Sequence, residues 1–284
     1  MTRRHDLERH RHSLAEIRNI MNSMKTLAYM ETRKLARFLD AQHAVTGSIR
    51  DVAADFLNFH AGILPETRET RPVYLLIGTE RGFCGDFNHA LLRQLEAIKR
   101  PFPPGWPLLI AVGHKLHVLL EGDMRVAAFI DGASIAEEVT SLLNQVVSNL
   151  TALQNEHGLV TVDCLSHNSD NDIVTTRLLP PFQDITQKSP RFPHAPDLNL
   201  SPRKFLIELT EHYLFAALHE LFYTSLMAEN HQRMTHLEGA VKHLDDDAAK
   251  LARQCNALRQ EEIIEEIEVI LLSAGNPTEQ PDRN

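Results

Sequence analysis

Residues 234–258 read MTHLEGAVKHLDDDAAKLARQCNAL, and the apolar side chains among them stand at Met234, Leu237, Val241, Leu244, Ala248, Leu251, Cys255 and Leu258. The steps between them alternate between three and four residues without a break. That is the a/d seam of a heptad repeat, the spacing with which one helix packs along another. No proline occurs between Arg203 and Ser273, and Gly239 is the only glycine there. A helix of about 70 residues would be ~105 Å long, more than a small core can cover, so the stretch requires a second rod.

The other end of the chain supplies one. Leu14, Ile17, Met21, Met24, Ala28, Leu35, Phe38, Val45, Ile49, Val52, Phe56, Phe59 and Ile63 continue one seam of the same kind, with Glu31 and Gln42 in the two positions this series skips. No proline precedes Pro65, and Gly47 is the one glycine before Phe59. The predicted arrangement is an antiparallel coiled coil of residues 1–64 with residues 203–274. Leu14 then lies beside Ala248, Ile17 beside Leu244, Met21 beside Val241, Met24 beside Leu237 and Ala28 beside Met234. Residues past about Leu251 run on as a lone helix. A seam does not name its partner, so pairing with a second copy of the chain is the alternative.

Between the rods the pattern changes. Leu64–Pro72 is polar and bounded by prolines, as a linker is. Val73–Ile77 (VYLLI) is a continuous apolar run, the mark of a buried parallel strand. A glycine-rich turn, Gly78–Asn88 (GTERGFCGDFN), leads into a helix with Leu91, Leu92, Leu95 and Ile98 on one face, for which Asp86 is the expected cap. Further strands are expected at 108–112, 124–130, 159–165 and 174–179. A short helix is expected at 115–120, and a longer one, capped by Ser134, runs to about Glu156. Residues 101–107 break the chain, and 183–202, with four prolines, form an extended connector. Strands alternating with helices imply a mostly parallel sheet. The fold class is thus α/β plus long helices: a Rossmann-like α/β domain, residues 72–182, inserted between the two arms of a coiled coil.

Composition narrows the function. The 284 residues are 43% hydrophobic and 24% charged with a net charge of -9, which argues against a nucleic-acid partner. No apolar run reaches the ~18 residues of a membrane span, and the start, MTRRHDLERHRH, is not that of a signal peptide. Three scattered cysteines, Cys84, Cys164 and Cys255, suit a reducing compartment.

No complete active site is apparent. A phosphate loop would need Lys-Ser/Thr after its last glycine, but Asp86 and Phe87 follow Gly85. Cys84 beside Arg81 could be a nucleophile, against the simpler reading of a small buried residue in a turn. His114 with His117, and His10 with His12, lack the partners of a metal site. Glu261, Glu262, Glu265, Glu266 and Glu268 recur opposite Ile263, Ile264, Ile267 and Ile270, as on a solvated helix face, and Arg3, Arg4, Arg9 and Arg11 are expected at the surface. No cofactor is expected.

Three stretches together resemble the gamma subunit of F-type ATP synthases, the central-stalk rotor. They are Ile17–Leu35 (IRNIMNSMKTLAYMETRKL), Leu75–Asn88 (LLIGTERGFCGDFN, near the family's D-R-G-L-C-G-G-x-N), and Tyr213–Ala274. The last contains Glu229-Asn-His-Gln-Arg-Met and Asn256-Ala-Leu-Arg-Gln-Glu-Glu-Ile, like S-E-Q-x-x-R-M and N-x-x-R-Q-x-x-I. Glu80, Asp86 and Asn230 depart from the usual residues, and the acidic run is heavier, which suggests a divergent branch. The resemblance implies a non-catalytic rotor, one copy per complex. Its implied partners are alpha and beta subunits, an epsilon subunit and a membrane ring of c subunits, on the cytoplasmic side of a bacterial inner membrane. It implies ring contacts at Arg259, Gln260, Lys25, Leu27 and Arg233, and a structural turn of Arg81, Gly82, Cys84, Gly85 and Asn88. A coiled-coil scaffold with a docked α/β module is the alternative, and an α/β enzyme with helical oligomerisation arms a third reading.

Overall fold

The computed structural model describes residues 2–64, 71–98, 107–158, 160–183, 185 and 192–274. The expected linker at 64–72, the break at 101–107, the first residue of the strand at 159–165 and the connector at 183–202 fall wholly or partly outside these. In order, the described chain forms α1 (Thr2–Phe59), β1 (Arg71–Ile77), α2 (Phe87–Ala97), β2 (Leu108–Val112), α3 (His114–Leu119), β3 (Val126–Ile130), α4 (Val139–His157), β4 (Val160–His167), β5 (Ile173–Leu179) and α5 (Pro202–Ala274). The chain divides into two compact units, residues 27–236 and residues 1–26 with 237–284.

The larger unit is built on a five-stranded sheet in the order β3-β2-β1-β4-β5. β1 pairs in parallel with β2 (Leu75 opposite Ile110) and with β4 (Leu75 opposite Cys164), while β5 runs antiparallel to β4. Successive residues of a strand face opposite sides, and the core divides accordingly. Val73, Leu75 and Ile77 pack with Leu143 and Val146 of α4, Leu35 and Phe56 of α1, and Phe222 of α5. Tyr74 and Leu76 pack with Phe87 and Leu91 of α2 and Leu116 of α3. A strand covered on both faces has no use for alternation, which is why β1 reads as unbroken apolar sequence. Each such side chain contributes about 1.5–3 kcal/mol on burial.

Within this unit α1 packs on α5 in antiparallel fashion: Phe38 stacks on Tyr223 with ring centroids 5.8 Å apart, and Phe56 meets Phe205 at 4.8 Å. The two polar seam positions bond differently, Glu31 to the turn before α4 and Gln42 across the seam to α5. Glu31 Oε1 accepts from the Ala136 amide at 2.7 Å, and Gln42 donates to the Ala216 carbonyl at 2.9 Å. Beyond Leu35 the face that α1 buries matches the expected one at Phe56, which is buried, and at Ile49, which is half-buried, and departs from it at Phe38, Val45 and Val52. Leu39, Thr46 and Ala53 are buried, while Phe38, Val45 and Val52 are 42–49% exposed. One residue is a turn of about 100° around a helix. The rotation serves the sheet, because Ala53 and Leu57 join Phe56 in the core containing Val73 and Leu75. It leaves Val45 and Val52 lining an open groove with Phe215, His219 and Tyr223.

Two expected caps are corrected. Asp86 makes no capping bond to α2 and pairs with Arg93. Ser134 does not cap α4, which begins after a 3-10 turn at Ala136–Glu138. The Ser134 hydroxyl accepts from Arg81 Nε at 2.9 Å, and its amide donates to Glu138 at 2.6 Å.

In the smaller unit the start of α1 lies antiparallel to the second half of α5: Arg18 bonds Asp245 at 2.5 Å and Arg4 bonds Glu262 at 2.9 Å. Leu237, Val241 and Cys255 are buried; Leu14, Met21, Met24, Leu244, Ala248, Leu251 and Leu258 are half-buried; Ile17 is 42% exposed. The expected lone helix after Leu251 is also corrected, since Cys255 is buried and Arg4 reaches Glu262. Beyond that point Ile263, Ile264, Ile267, Val269, Leu271 and Leu272 are all 46–76% exposed.

Gly78, at the end of β1, tests the packing of the sheet on α3. A Cβ there would lie 2.6 Å from Leu116 Cβ and 2.8 Å from Asn88 Oδ1. Gly78→Ala should destabilise the chain by about 1–3 kcal/mol in denaturant titration; a change below about 0.5 kcal/mol, the range of neutral surface substitutions, would contradict this packing.

Candidate functional site

The Gly78–Asn88 turn and one stretch of α5 form a buried polar cluster within the larger unit. The turn is closed on itself. Thr79 donates its amide to Asn88 Oδ1 at 3.0 Å, and Asn88 Nδ2 donates to the Thr79 hydroxyl at 2.9 Å. Phe83 and Gly85 both take positive φ, 65° and 57°, so the chain reverses tightly around Cys84. Glu80 Oε2 accepts from the amides of His114 at 2.9 Å and Gly132 at 2.7 Å, tying the turn to the loops that follow β2 and β3.

Arg233 of α5 is the centre of the cluster. It is 5% exposed. Its guanidinium donates to the Gly82 carbonyl at 3.2 Å, to Cys84 Sγ at 3.3 Å and to Asn230 Oδ1 at 2.7 Å, and it pairs with Glu229 one helical turn earlier. Arg233 was expected among the ring contacts. The structure instead spends its donors inside the chain, joining α5 to the β1–α2 turn. Burial pushes the Glu229 carboxyl up to about 7, while Arg233 and the amides of Arg81 and Glu80 pull it back. Burial, reinforced by the Glu229 charge, likewise pushes the Cys84 thiol up to about 12. A thiol held protonated is a poor nucleophile, so the arrangement is suited to locking two elements together and not to attack on a substrate.

The other expected residues are dispersed. Arg81, Gly82, Cys84, Gly85 and Asn88 all lie in the turn, with Arg81 and Gly85 exposed and Asn88 buried. Met234 is half-buried next to the lock, and Leu27 is 63% exposed on α1. In the smaller unit Lys25 is half-buried, and Arg259 and Gln260 are exposed on α5. His117 stacks on Phe129 at 3.8 Å and stands edge-on to His114 at 6.4 Å.

Some contributors carry no sequence signal. Lys34 of α1 pairs with Glu137 just before α4. His167 is buried against Phe87, ring centroids 3.7 Å apart, with its two ring nitrogens 3.0 Å and 3.2 Å from the carbonyls of Phe87 and Asn171. Neither could be inferred without knowing which elements meet. Glu229 was visible only as part of the Glu229–Met234 motif.

The chain as a whole resembles known proteins. A family model described as ATP synthase matches residues 3–275. The chain is similar to the ATP synthase gamma chain of Clostridium botulinum, 23% identical over 265 residues, covering 91% of this chain and 93% of the relative. It is equally similar to that of Caldanaerobacter subterraneus, 23% identical over 289 residues, covering 93% and 96%. Among solved structures, the rotor of Euglena gracilis mitochondrial ATP synthase shares the fold, with a TM-score of 0.56 at 16% identity over 92% of this chain and 99% of that one.

The lock makes two predictions. Arg233→Ala leaves a buried carboxylate without its partner and should cost about 3–5 kcal/mol at pH 8, and clearly less at pH 5, where Glu229 keeps its proton; equal losses in urea titrations at both pH values would contradict the pairing. Glu229 itself binds a proton more tightly folded, about 7, than unfolded, about 4.3. Its contribution is therefore complete below the unfolded value and lost as pH rises through the folded one. Relative to Glu229→Gln, the unaltered chain should lose on the order of 1–3 kcal/mol between pH 4.5 and pH 8; a gap that stays constant or grows in favour of the unaltered chain would contradict the assignment.

Proposed function

The chain belongs to the ATP synthase family as a gamma chain, and on that footing we propose that it is the central-stalk rotor of an F-type ATP synthase. It couples ion translocation through a membrane ring of c subunits to ATP synthesis or hydrolysis in a ring of alpha and beta subunits. The observation that carries this is the end of α5, a 73-residue helix whose final stretch exposes aliphatic side chains such as Ile264, 56% exposed, and Leu271, 65% exposed. Such a surface belongs inside something.

Residues 1–64 and 203–274 form the shaft, and 72–182 the foot that meets the epsilon subunit and the c ring. One copy serves each complex. A shaft of unlike faces touches each beta subunit differently at each angle, and nucleotide affinity follows the difference in contact. The chain does no chemistry of its own, in keeping with a Cys84 thiol held protonated. It is held at the cytoplasmic face of a bacterial membrane through the complex; no helix among the described residues is long and apolar enough to cross a membrane. Arg259, Gln260, Lys25 and Leu27 are the proposed contacts with the alpha–beta ring, and Arg233 is withdrawn from that set.

The purified chain should neither bind ATP at micromolar affinity nor hydrolyse it. Mixed with its own alpha and beta subunits, it should enter a complex at one copy per three of each and raise ATP turnover. Arg259→Ala should slow turnover of that complex, by the loss of a charge-assisted hydrogen bond of about 1.5–3 kcal/mol, without moving the melting of the isolated chain. Tight ATP binding by the isolated chain would overturn the rotor assignment, and unaltered turnover with Arg259→Ala would overturn that contact.

A further inference from the structure

The rotation of α1 beyond Leu35 opens a groove between it and α5. Val45, Ile49 and Val52 line it from α1, and Phe215, His219 and Tyr223 from α5. It encloses about 560 Å³, a volume within the range of small-molecule sites. Aromatic rings form one wall. Phe215 stands edge-on to His219 with ring centroids 4.6 Å apart, and Tyr223 lies 5.6 Å from the same ring.

Two of the polar side chains along the groove are already engaged: Gln42 donates to the Ala216 carbonyl and Ser48 to the Ala44 carbonyl. His219 is different. It is 9% exposed, and its Nδ1 is enclosed without a hydrogen-bond partner. Burial holds its pKa below the ordinary histidine value, so the ring is neutral at pH 7 and carries one proton. Buried N–H groups without an acceptor are rarer than under-used acceptors. The proton therefore sits on Nε2, the nitrogen left to face the groove that this side chain lines.

These features select an occupant. Among the described residues no lysine, arginine, aspartate or glutamate lines the groove, so a charged ligand would give up its hydration without a partner. An aliphatic helix, from another protein or a second copy, would strip water from Nε2 and leave both ring nitrogens unpaired. A flat ring that carries a carbonyl group meets both demands: the ring packs on Phe215 and Tyr223, and the oxygen accepts from Nε2.

We propose that the groove between α1 and α5 is a binding site for an uncharged aromatic carbonyl compound, held by Val45, Val52, Phe215 and Tyr223 and oriented by a hydrogen bond from His219 to its carbonyl oxygen. The site lies wholly within the larger unit and does not depend on the rotor assignment.

The test uses the full chain and prodan, an uncharged naphthyl ketone, as a fluorescent probe. Its anisotropy should rise with added chain and saturate at one probe per chain. His219→Phe should weaken binding about three- to tenfold, the worth of one neutral hydrogen bond. Its melting should be unchanged or raised, because the substitution removes an unpaired buried nitrogen. Naphthalene, which lacks the carbonyl, should bind the unaltered chain and His219→Phe alike. Val52→Lys places a charge in the groove at a position 47% exposed and should abolish saturable binding. Equal affinity of His219→Phe for prodan overturns the hydrogen bond, and saturable binding that survives Val52→Lys overturns the site. Binding that is lost as the chain is concentrated, or on assembly with its own alpha and beta subunits, shows the groove taken by a second copy or a protein partner and overturns it as well.

Discussion

A helix of 58 residues and another of 73 cannot be stable in water on propensity alone; each needs an apolar stripe covered along its length. The seam between α1 and α5 meets that need, and other features follow from where it holds and where it stops. In the larger unit the sheet supplements it: α1 places Ala53 in the core beside the sheet, and Leu39 and Thr46 are buried as well. In the smaller unit two helices have only each other, so most seam residues are half-buried and ion pairs such as Arg18–Asp245 mark the edges. Past Leu258 the face toward α1 becomes charged at Glu262, and the aliphatic residues move to the side α1 does not cover. A seam that ends this way prepares the helix for a different partner.

The second constraint is the lock between α5 and the β1–α2 turn. A buried ion pair is seldom a net source of stability, because removing two charges from water costs about what their attraction returns. Its value lies in geometry. Arg233 can satisfy Glu229, Asn230, Gly82 and Cys84 together only in one placement of the turn on the helix. For a rotor, torque on the foot must reach the shaft without the sheet sliding on the helix, and a directional, buried network resists sliding better than apolar packing alone. The rise of the Glu229 carboxyl to about 7 is the electrostatic cost of that rigidity.

Much of this was legible in the residues. β2 lies at the expected 108–112, because a strand buried on both faces is a short apolar run bounded by breaks, and the seam positions Leu237, Val241 and Cys255 are the ones buried in the smaller unit. The slip from Phe38, Val45 and Val52 to Leu39, Thr46 and Ala53 was not legible. Both series have heptad spacing, and only the position of the sheet decides between them. The caps failed for different reasons: Ser134 found a partner in Arg81, distant in sequence, and Asp86 turned to Arg93, two turns along the same helix. At the site, the glycines and Cys84 marked a tight turn, but the fate of Arg233 depended on a residue pair 149 apart in sequence.

As a rotor, this chain turns inside its ring while the ring works. Met124, 94% exposed on the α/β unit, offers a place for a single cysteine, since Cys84, Cys164 and Cys255 are all buried. With the alpha–beta ring fixed to a surface and a bead attached through Met124→Cys, ATP hydrolysis should drive the bead round in one direction in steps of a third of a turn, one for each beta subunit. Sustained hydrolysis with a bead that is attached and does not turn would contradict the account.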